Sequence, residues 1–477
     1  MAPPGALKRP TLFASRRLLL ATPHKVRSSK QVMNAAPRSR KLSLAFGVTV
    51  LLLLAALGLA APSPQESSSL LAQADEILQQ MSELTGLPIK APLQKRVISR
   101  PEVQKYLVEN LRAEMTPREL HIQEATLQAF GLVSRDFNLE KFLIAFYTEQ
   151  AAGFYDPRTK TMFIADWPEP EMQRMVLAHE LTHALEDQNF DLQKFLHAER
   201  ANDDATNAHQ AIVEGHATAA MMQQMVEPVG LGDLPALEPL MAQVIHQQYE
   251  EFPTFSQAPY FFRLQALFPY VEGMGFMQRG LKLGGWNKLN TLFANPPSST
   301  KEIFEPSVYY DRKPLPGVAL PRPPALARST GLALLSENIL GELGYVALLG
   351  QLISEDEAKA TATGWLADRY ILYERTAGAG PGPAPEKSSR QAGDCALIAR
   401  VRWSSTEIAL AFFRDYHTVL AHKYPELAPD KRSATDLFIG SAGNGQVVLL
   451  RKGEEVLWAE GIPPAQADAV LNWLRSL

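Results

Sequence analysis

The sequence holds one cysteine, Cys395, in 477 residues. That excludes an intramolecular disulfide and any cysteine-cluster metal site, so a bound metal would have to rest on histidine and carboxylate ligands. An excess of charge is missing too: 47 Lys and Arg stand against 51 Asp and Glu, a net charge of −4. Nucleic acid is therefore not an expected partner, because phosphate binding needs a basic surface. Acids are absent from the first 65 residues, which hold ten Lys or Arg, and no charge interrupts "LSLAFGVTVLLLLAALGLAAPSPQ" at 42–65. A basic flank followed by about 18–20 apolar residues reads as a signal peptide or a membrane anchor. The rest of the chain is then expected to work outside the cytoplasm, in a periplasmic, secreted or membrane-anchored form.

What is present is enough apolar residue, 46%, to build a core, in a chain longer than one domain usually runs. The expected organisation is an N-terminal targeting segment at 1–65, a first domain at 66–311, a linker at 312–329 and a second domain at 330–477. The linker is marked by five prolines in "RKPLPGVALPRPPALARS", and "TAGAGPGPAPEKSSRQAGD" at 376–394 reads as a mobile loop. From Ser67 to about Glu149 apolar residues recur at three- and four-residue steps, which predicts helices; "AAGFYDPRTKTMFIADW" at 151–167 predicts a β-hairpin around Asp156–Lys160. After Thr330 the pattern predicts helices to about 362, strands near 369–374 and 396–403, a helix at 405–423, short strands between 434 and 459, and a last helix. That is a small α+β unit with an antiparallel sheet. The turn "GNG" at 443–445 fits a hairpin and not a phosphate loop.

Chemistry concentrates in "VLAHELTHALEDQ", 176–188. Residues four apart share a helix face, so His179 and His183 aim two imidazoles at one point, while Leu177, Leu181 and Leu185 mark another face for the core. Glu180 reaches the edge of the same point, where a carboxylate can take a proton from a zinc-bound water whose pKa the metal has lowered from about 15.7 to about 7. Catalytic zinc usually takes a third protein ligand. Glu214 in "NAHQAIVEGHATAAMMQQM", 207–225, supplies it, since a carboxylate on so apolar a helix needs a partner. Gly215 and Ala217 are small enough for that helix to approach the first one closely. His209 and His216 compete as ligands but sit off the face of Glu214, and Asp187 is a candidate for orienting His183.

The segments "LAHELTHALEDQNFDL" and "AIVEGHATAAM" resemble the gluzincin branch of the zinc metallopeptidases, and a poorly characterised bacterial set within that superfamily. The resemblance extends through "AGFYDPRTKTMFI", "FPYVEGMGFMQRG", "NPPSSTKEIFEP", "LGELG" and "GWLADRY", covering about residues 145–375. It implies a mainly helical zincin-like metallopeptidase domain carrying a short antiparallel edge hairpin, with the smaller C-terminal α+β domain behind it. It also implies His179, His183 and Glu214 as zinc ligands, Glu180 as general base, and 161–165 as an edge strand for an extended peptide substrate. The sequence departs from the family pattern at His216, where an acid often stands, and at Glu305, where a histidine often stands. Gluzincins use a further His or Tyr to stabilise the oxyanion. Tyr270 is the expected donor here, with Tyr309, Tyr310 and Tyr370 as alternatives. Trp365, Asp368, Arg369 and Tyr370 in "GWLADRY" fit either a cleft lining or a buried ion pair at the domain junction. The expected activity is zinc-dependent peptide hydrolysis; the rival is a metallopeptidase-like scaffold that binds a peptide or envelope partner.

Overall fold

The computed structural model describes residues 64–150, 153–167, 170–199, 202–249, 252–327, 331–375, 395–443 and 445–477. The N-terminal apolar run, the 376–394 loop and Asn444 of the 443–445 turn lie outside them. Among the described residues no helix is long and apolar enough to cross a membrane.

The chain opens with α1 (Pro64–Thr85), whose Ala74, Ile77, Leu78 and Met81 are buried, and Gly86 ends it with φ 71. A strand follows that the sequence pattern does not announce, β1 (Gln94–Ile98). Then come α2 (Arg100–Glu114), α3 (Pro117–Phe130) and α4 (Leu139–Gln150). The Ser99–Glu102 and Thr116–Glu119 capping boxes, each with proline in the first turn, start α2 and α3. The expected hairpin is β2 (Gly153–Asp156) and β3 (Thr161–Ala165), antiparallel with Gly153 opposite Ile164 and Asp156 opposite Thr161. Asp156 closes its turn by accepting from Arg158 N at 2.9 Å and from the Thr159 hydroxyl at 2.9 Å.

One expectation is overturned here. The sheet order is β1-β3-β2, and β1 lies parallel to β3 from Gln94↔Thr161 to Ile98↔Ala165. The 161–165 strand is thus the central strand and offers no free edge to a peptide. The "QKRVI" segment gives no β signal because Lys95 and Arg96 break any apolar alternation and only Ile98 is fully buried.

The helices that bear the site come next: α5 (Pro170–Phe190), α6 (Leu192–Leu196) and α7 (Asp203–Val226). They are followed by α8 (Glu238–Tyr249), α9 (Pro253–Ser256) and α10 (Tyr260–Asn290), the last broken at Gly284–Gly285, where Gly285 takes φ 63. Short helices α11 (Thr300–Phe304), α12 (Pro306–Tyr310) and α13 (Pro324–Ala327) lead to the second half. There, 332–338 is a strand and not the expected helix: β4 (Leu332–Asn338) pairs with β5 (Trp365–Arg375) through a bulge between Leu334 and Ser336, so sheet pairing overrides its leucine and alanine content. The remaining order is α14 (Gly341–Gly350), α15 (Glu355–Ala362), β5 (Trp365–Arg375), β6 (Cys395–Trp403), α16 (Thr406–Lys423), β7 (Ala428–Pro429), β8 (Leu437–Ala442), β9 (Gly445–Lys452), β10 (Glu455–Ile462) and α17 (Ala467–Ser476). These strands form one antiparallel sheet, ordered β4-β5-β6-β10-β9-β8-β7. The protein is therefore mixed α+β with an antiparallel C-terminal sheet.

Both faces of that sheet are covered. Trp403 and Trp458 pack on Phe412 and Tyr416 of α16, while Ile371, Ile398 and Leu457 meet Val470 and Leu474 of α17 and Leu326 of α13. The largest core also joins the sheet to the N-terminal helices, since it contains Val103, Leu107, Phe130 and Phe146 beside Trp403 and Trp458. Lys423 crosses the same boundary: its ammonium donates to Ala129 O at 2.6 Å and pairs with the buried Glu460 at 2.6 Å. Removing one partner of a buried pair leaves the other charge uncompensated. Lys423→Met is expected to lower unfolding stability by about 3–5 kcal/mol, read as a fall in the urea midpoint; a change under about 1 kcal/mol would mean that water takes over the Glu460 carboxylate.

Candidate metal centre

The helix α5 places His179 and His183 one turn apart, and α7 crosses it so that Glu214 faces both. Glu214 Oε2 lies 3.3 Å from His179 Nε2 and 3.6 Å from His183 Nε2, and the two Nε2 atoms are 2.9 Å apart. One ligand atom from each residue falls within 4.8 Å of the others, and all three residues are buried. A tetrahedral ion with bonds of about 2.0–2.1 Å sets its donors roughly 3.3 Å apart, so the three donors present fit zinc. Among the described residues this is the one group of three or more such side chains.

The tautomers suit that fit. His183 Nδ1 is 2.7 Å from Glu186 Oε2, which makes Nδ1 the donor and turns the Nε2 lone pair inward. Burial pulls His179 down to about 4, so its imidazole is neutral near pH 7. Burial raises Glu214, but hydrogen bonds and charge from the two histidines outweigh it and hold the carboxyl down to about 2. Burial also lowers His183, yet the Glu186 and Glu214 carboxylates raise it well above its ordinary value. The three ligand atoms point inward, and a dication bound by them would displace the proton that the Glu186 and Glu214 carboxylates favour on His183.

Glu180 stands beside this group and is fully buried. Its Oε2 accepts from Tyr155 N of β2 at 2.8 Å, while Oε1 has no hydrogen-bond partner among the described residues. Desolvation pushes its carboxyl up to about 8; a nearby dication acts in the opposite sense, since an adjacent positive charge favours the carboxylate. The strand that faces the site is thus β2, not 161–165.

The structure brings Tyr270 to the site: its ring centroid is 6.0 Å from that of His179. It does not bring the alternatives. Tyr309 donates to Asn295 O, Tyr310 donates to Phe276 O at 3.2 Å, and Tyr370 packs edge-on against Phe130. Glu305 is ion-paired to Lys301. His209 stacks on Phe195, with centroids 4.9 Å apart. Asp187 is not the residue that orients His183. It accepts from Tyr155 OH at 2.7 Å, Lys160 Nζ at 2.6 Å and Leu192 N at 3.0 Å, so it fastens the β2–β3 hairpin to α5. Glu186 takes the orienting role because residues three apart on a helix also meet. The close approach at Gly215 is likewise to another helix: a Cβ there would lie 2.8 Å from Gly273 of α10, and this contact lets α10 carry Tyr270 over the site.

Sequence reasoning missed Tyr147. Its hydroxyl on α4 is shifted upward by burial and then by the charge of Glu214. No spacing rule links it to the motif helix. "GWLADRY" also resolves into something other than an ion pair: Asp368 accepts from Trp365 Nε1 at 3.0 Å, Leu340 N at 2.9 Å and Gly341 N at 3.0 Å, while Arg369 is exposed. Both residues line a small cleft with Asp204 and Ser299.

No curated protein and no solved structure matches the chain. A family model described as a domain of unknown function (DUF8575) matches residues 332–471, a span that holds the C-terminal sheet and its helices and none of His179, Glu180, His183 or Glu214.

Proposed function

We propose that the chain is a zinc-dependent metallopeptidase of zincin-like type, exported or anchored by its N-terminal segment. The observation that carries this reading is the convergence of His179, His183 and Glu214 on one buried point, with the unpartnered Oε1 of Glu180 beside it. A zinc ion held there would supply Lewis acidity, lowering the pKa of a water to about 7 and polarising a carbonyl. Glu180 is the proton carrier in this scheme. Tyr155 N fixes one carboxylate oxygen, which leaves the other to accept a proton from water and return it to the leaving amine. Tyr270, whose ring lies 6.0 Å from that of His179, is the first candidate for the hydroxyl that serves the developing oxyanion.

Full enclosure supports a second reading, in which the metal is structural and the protein is a scaffold for a peptide or envelope partner: His179, Glu180 and His183 are each 0% exposed. Metal analysis and a peptide digest together separate the two. About one zinc per chain, with cleavage of an unbiased peptide library that 1,10-phenanthroline stops and added zinc restores, is the expected result. Zinc without any cleavage would establish the scaffold, and no zinc would remove both.

A further inference from the structure

The first helix of the described chain touches both metal-bearing helices, and this contact ends at a ligand. Its apolar face, Ala74, Ile77, Leu78 and Met81, shares a core with Leu177, Leu181 and Leu185, the side of α5 turned away from the histidines. Gln80 of α1 accepts from Arg174 of α5 at 3.3 Å and from Gln224 of α7 at 2.7 Å. The last residue of α1, Thr85, accepts through its carbonyl from Asn290 Nδ2 at 2.9 Å. That contact orients the Asn290 amide, so its Oδ1 faces His216 Nε2 at 3.2 Å. His216 Nδ1 in turn meets Glu186 Oε1 at 2.7 Å, and Glu186 Oε2 meets His183 Nδ1 at 2.7 Å. The line Thr85–Asn290–His216–Glu186–His183 therefore runs without a gap from the end of α1 to a metal ligand. The break at Gly284–Gly285 turns the end of α10 toward it, and Trp286 packs edge-on against His216 with ring centroids 5.5 Å apart.

We propose that α1 is a clamp on the metal centre: its docked C-terminal end, acting through Asn290 and His216, fixes Glu186 and so the direction in which His183 presents its ligand nitrogen. The proposal rests on reading His179, His183 and Glu214 as the metal centre, and it adds regulation to that centre. Undocking α1 loosens the hold on zinc without touching a ligand. His216 and Asn290 are positioning residues here, and His216 is what extends the line beyond Glu186. A carboxylate in its place would face Glu186 with like charge and could not pass the contact to Asn290.

The test measures zinc affinity of the full chain by competition with a chromophoric chelator. It adds the visible spectrum of the cobalt-substituted protein and circular dichroism of the metal-free forms. Asn290→Leu, which removes both hydrogen bonds at similar volume, is expected to weaken zinc about 10-fold or more, within the range typical of groups that orient metal ligands, and to shift the cobalt bands. Gln80→Met, on the half-buried α1 surface, is expected to weaken zinc in the same direction by a smaller factor, and it decides the matter if Asn290→Leu fails to fold. Affinity within twofold of wild type and an unchanged cobalt spectrum in the folded variants would overturn the clamp alone. Failure of the wild-type chain to bind zinc would overturn the metal centre and the clamp with it.

Discussion

Glu180→Gln is expected to retain about one zinc per chain while peptide hydrolysis falls by ~10²–10⁴, the usual contribution of a positioned general base. Zinc is kept because Glu180 is not one of the three converging donors, and because the amide oxygen of glutamine can still accept from Tyr155 N, which is 2.8 Å from the present carboxylate. Hydrolysis is lost because an amide does not take a proton at neutral pH. Glu214→Ala is the complementary variant. It removes one of three ligands and leaves His179 and His183 with Nε2 atoms 2.9 Å apart and nothing anionic between them, so zinc is expected to be lost together with activity. Metal content and initial rate, measured side by side on the two variants, check the assignment. Retained hydrolysis in Glu180→Gln would remove Glu180 from the mechanism, and retained zinc in Glu214→Ala would move the third ligand elsewhere.

The convergence of His179, His183 and Glu214 was legible in the sequence from helical spacing and the burial cost of an acid. His179 and His183 fall four apart, Glu180 falls beside them, and an acid in the apolar run of α7 needs a partner wherever that helix goes. The β2–β3 hairpin was legible for a similar local reason, its turn chemistry at Asp156–Lys160. The failures were set by long-range packing. β1 becomes a strand only by lying on β3, which made the 161–165 edge unreadable; 332–338 becomes a strand only through β5. Asp187 and Glu186 differ by one residue and about 100° of rotation, yet one fastens the hairpin and the other orients a ligand. Helix spacing allows either to meet His183, and the choice is made by where Tyr155 and Lys160 arrive.

The same dependence on packing explains the outlying motifs "LGELG", "SSTKEIFEP" and "GWLADRY", and leads to a large expected loss of stability at Gly341. Its φ of +74 favours glycine, and a Cβ added there would lie 1.9 Å from Asp204 Oδ1. Asp204 cannot swing aside freely. Its Oδ1 accepts from Thr300 N at 3.0 Å and from the Thr300 hydroxyl, and Thr300 Oγ1 itself accepts from Leu343 N at 3.2 Å. On the other side Asp368 holds Gly341 N at 3.0 Å, and Asn338 Oδ1 accepts from Asp203 N at 3.0 Å. The starts of α7, α11 and α14 are thus pinned together at one point beside β5. Gly341→Ala adds left-handed strain of about 1–2 kcal/mol and displaces a buried carboxylate whose lost hydrogen bonds cost about 1–3 kcal/mol each. A loss of about 4 kcal/mol is expected, read as a shift in the urea midpoint at unchanged slope. Gly317→Ala, where nothing lies within 4 Å of the added carbon, is expected to stay within about 0.5 kcal/mol and serves as the control. The consequence reaches function through α7. Glu214 stands ten residues, about 15 Å of helix, beyond Asp204, in the middle of α7, so releasing the start of that helix frees the Glu214 carboxylate to shift. Zinc affinity is therefore expected to fall in Gly341→Ala even below its unfolding transition. Unchanged affinity in a destabilised variant would show that α5 and α10 hold Glu214 in place without the junction.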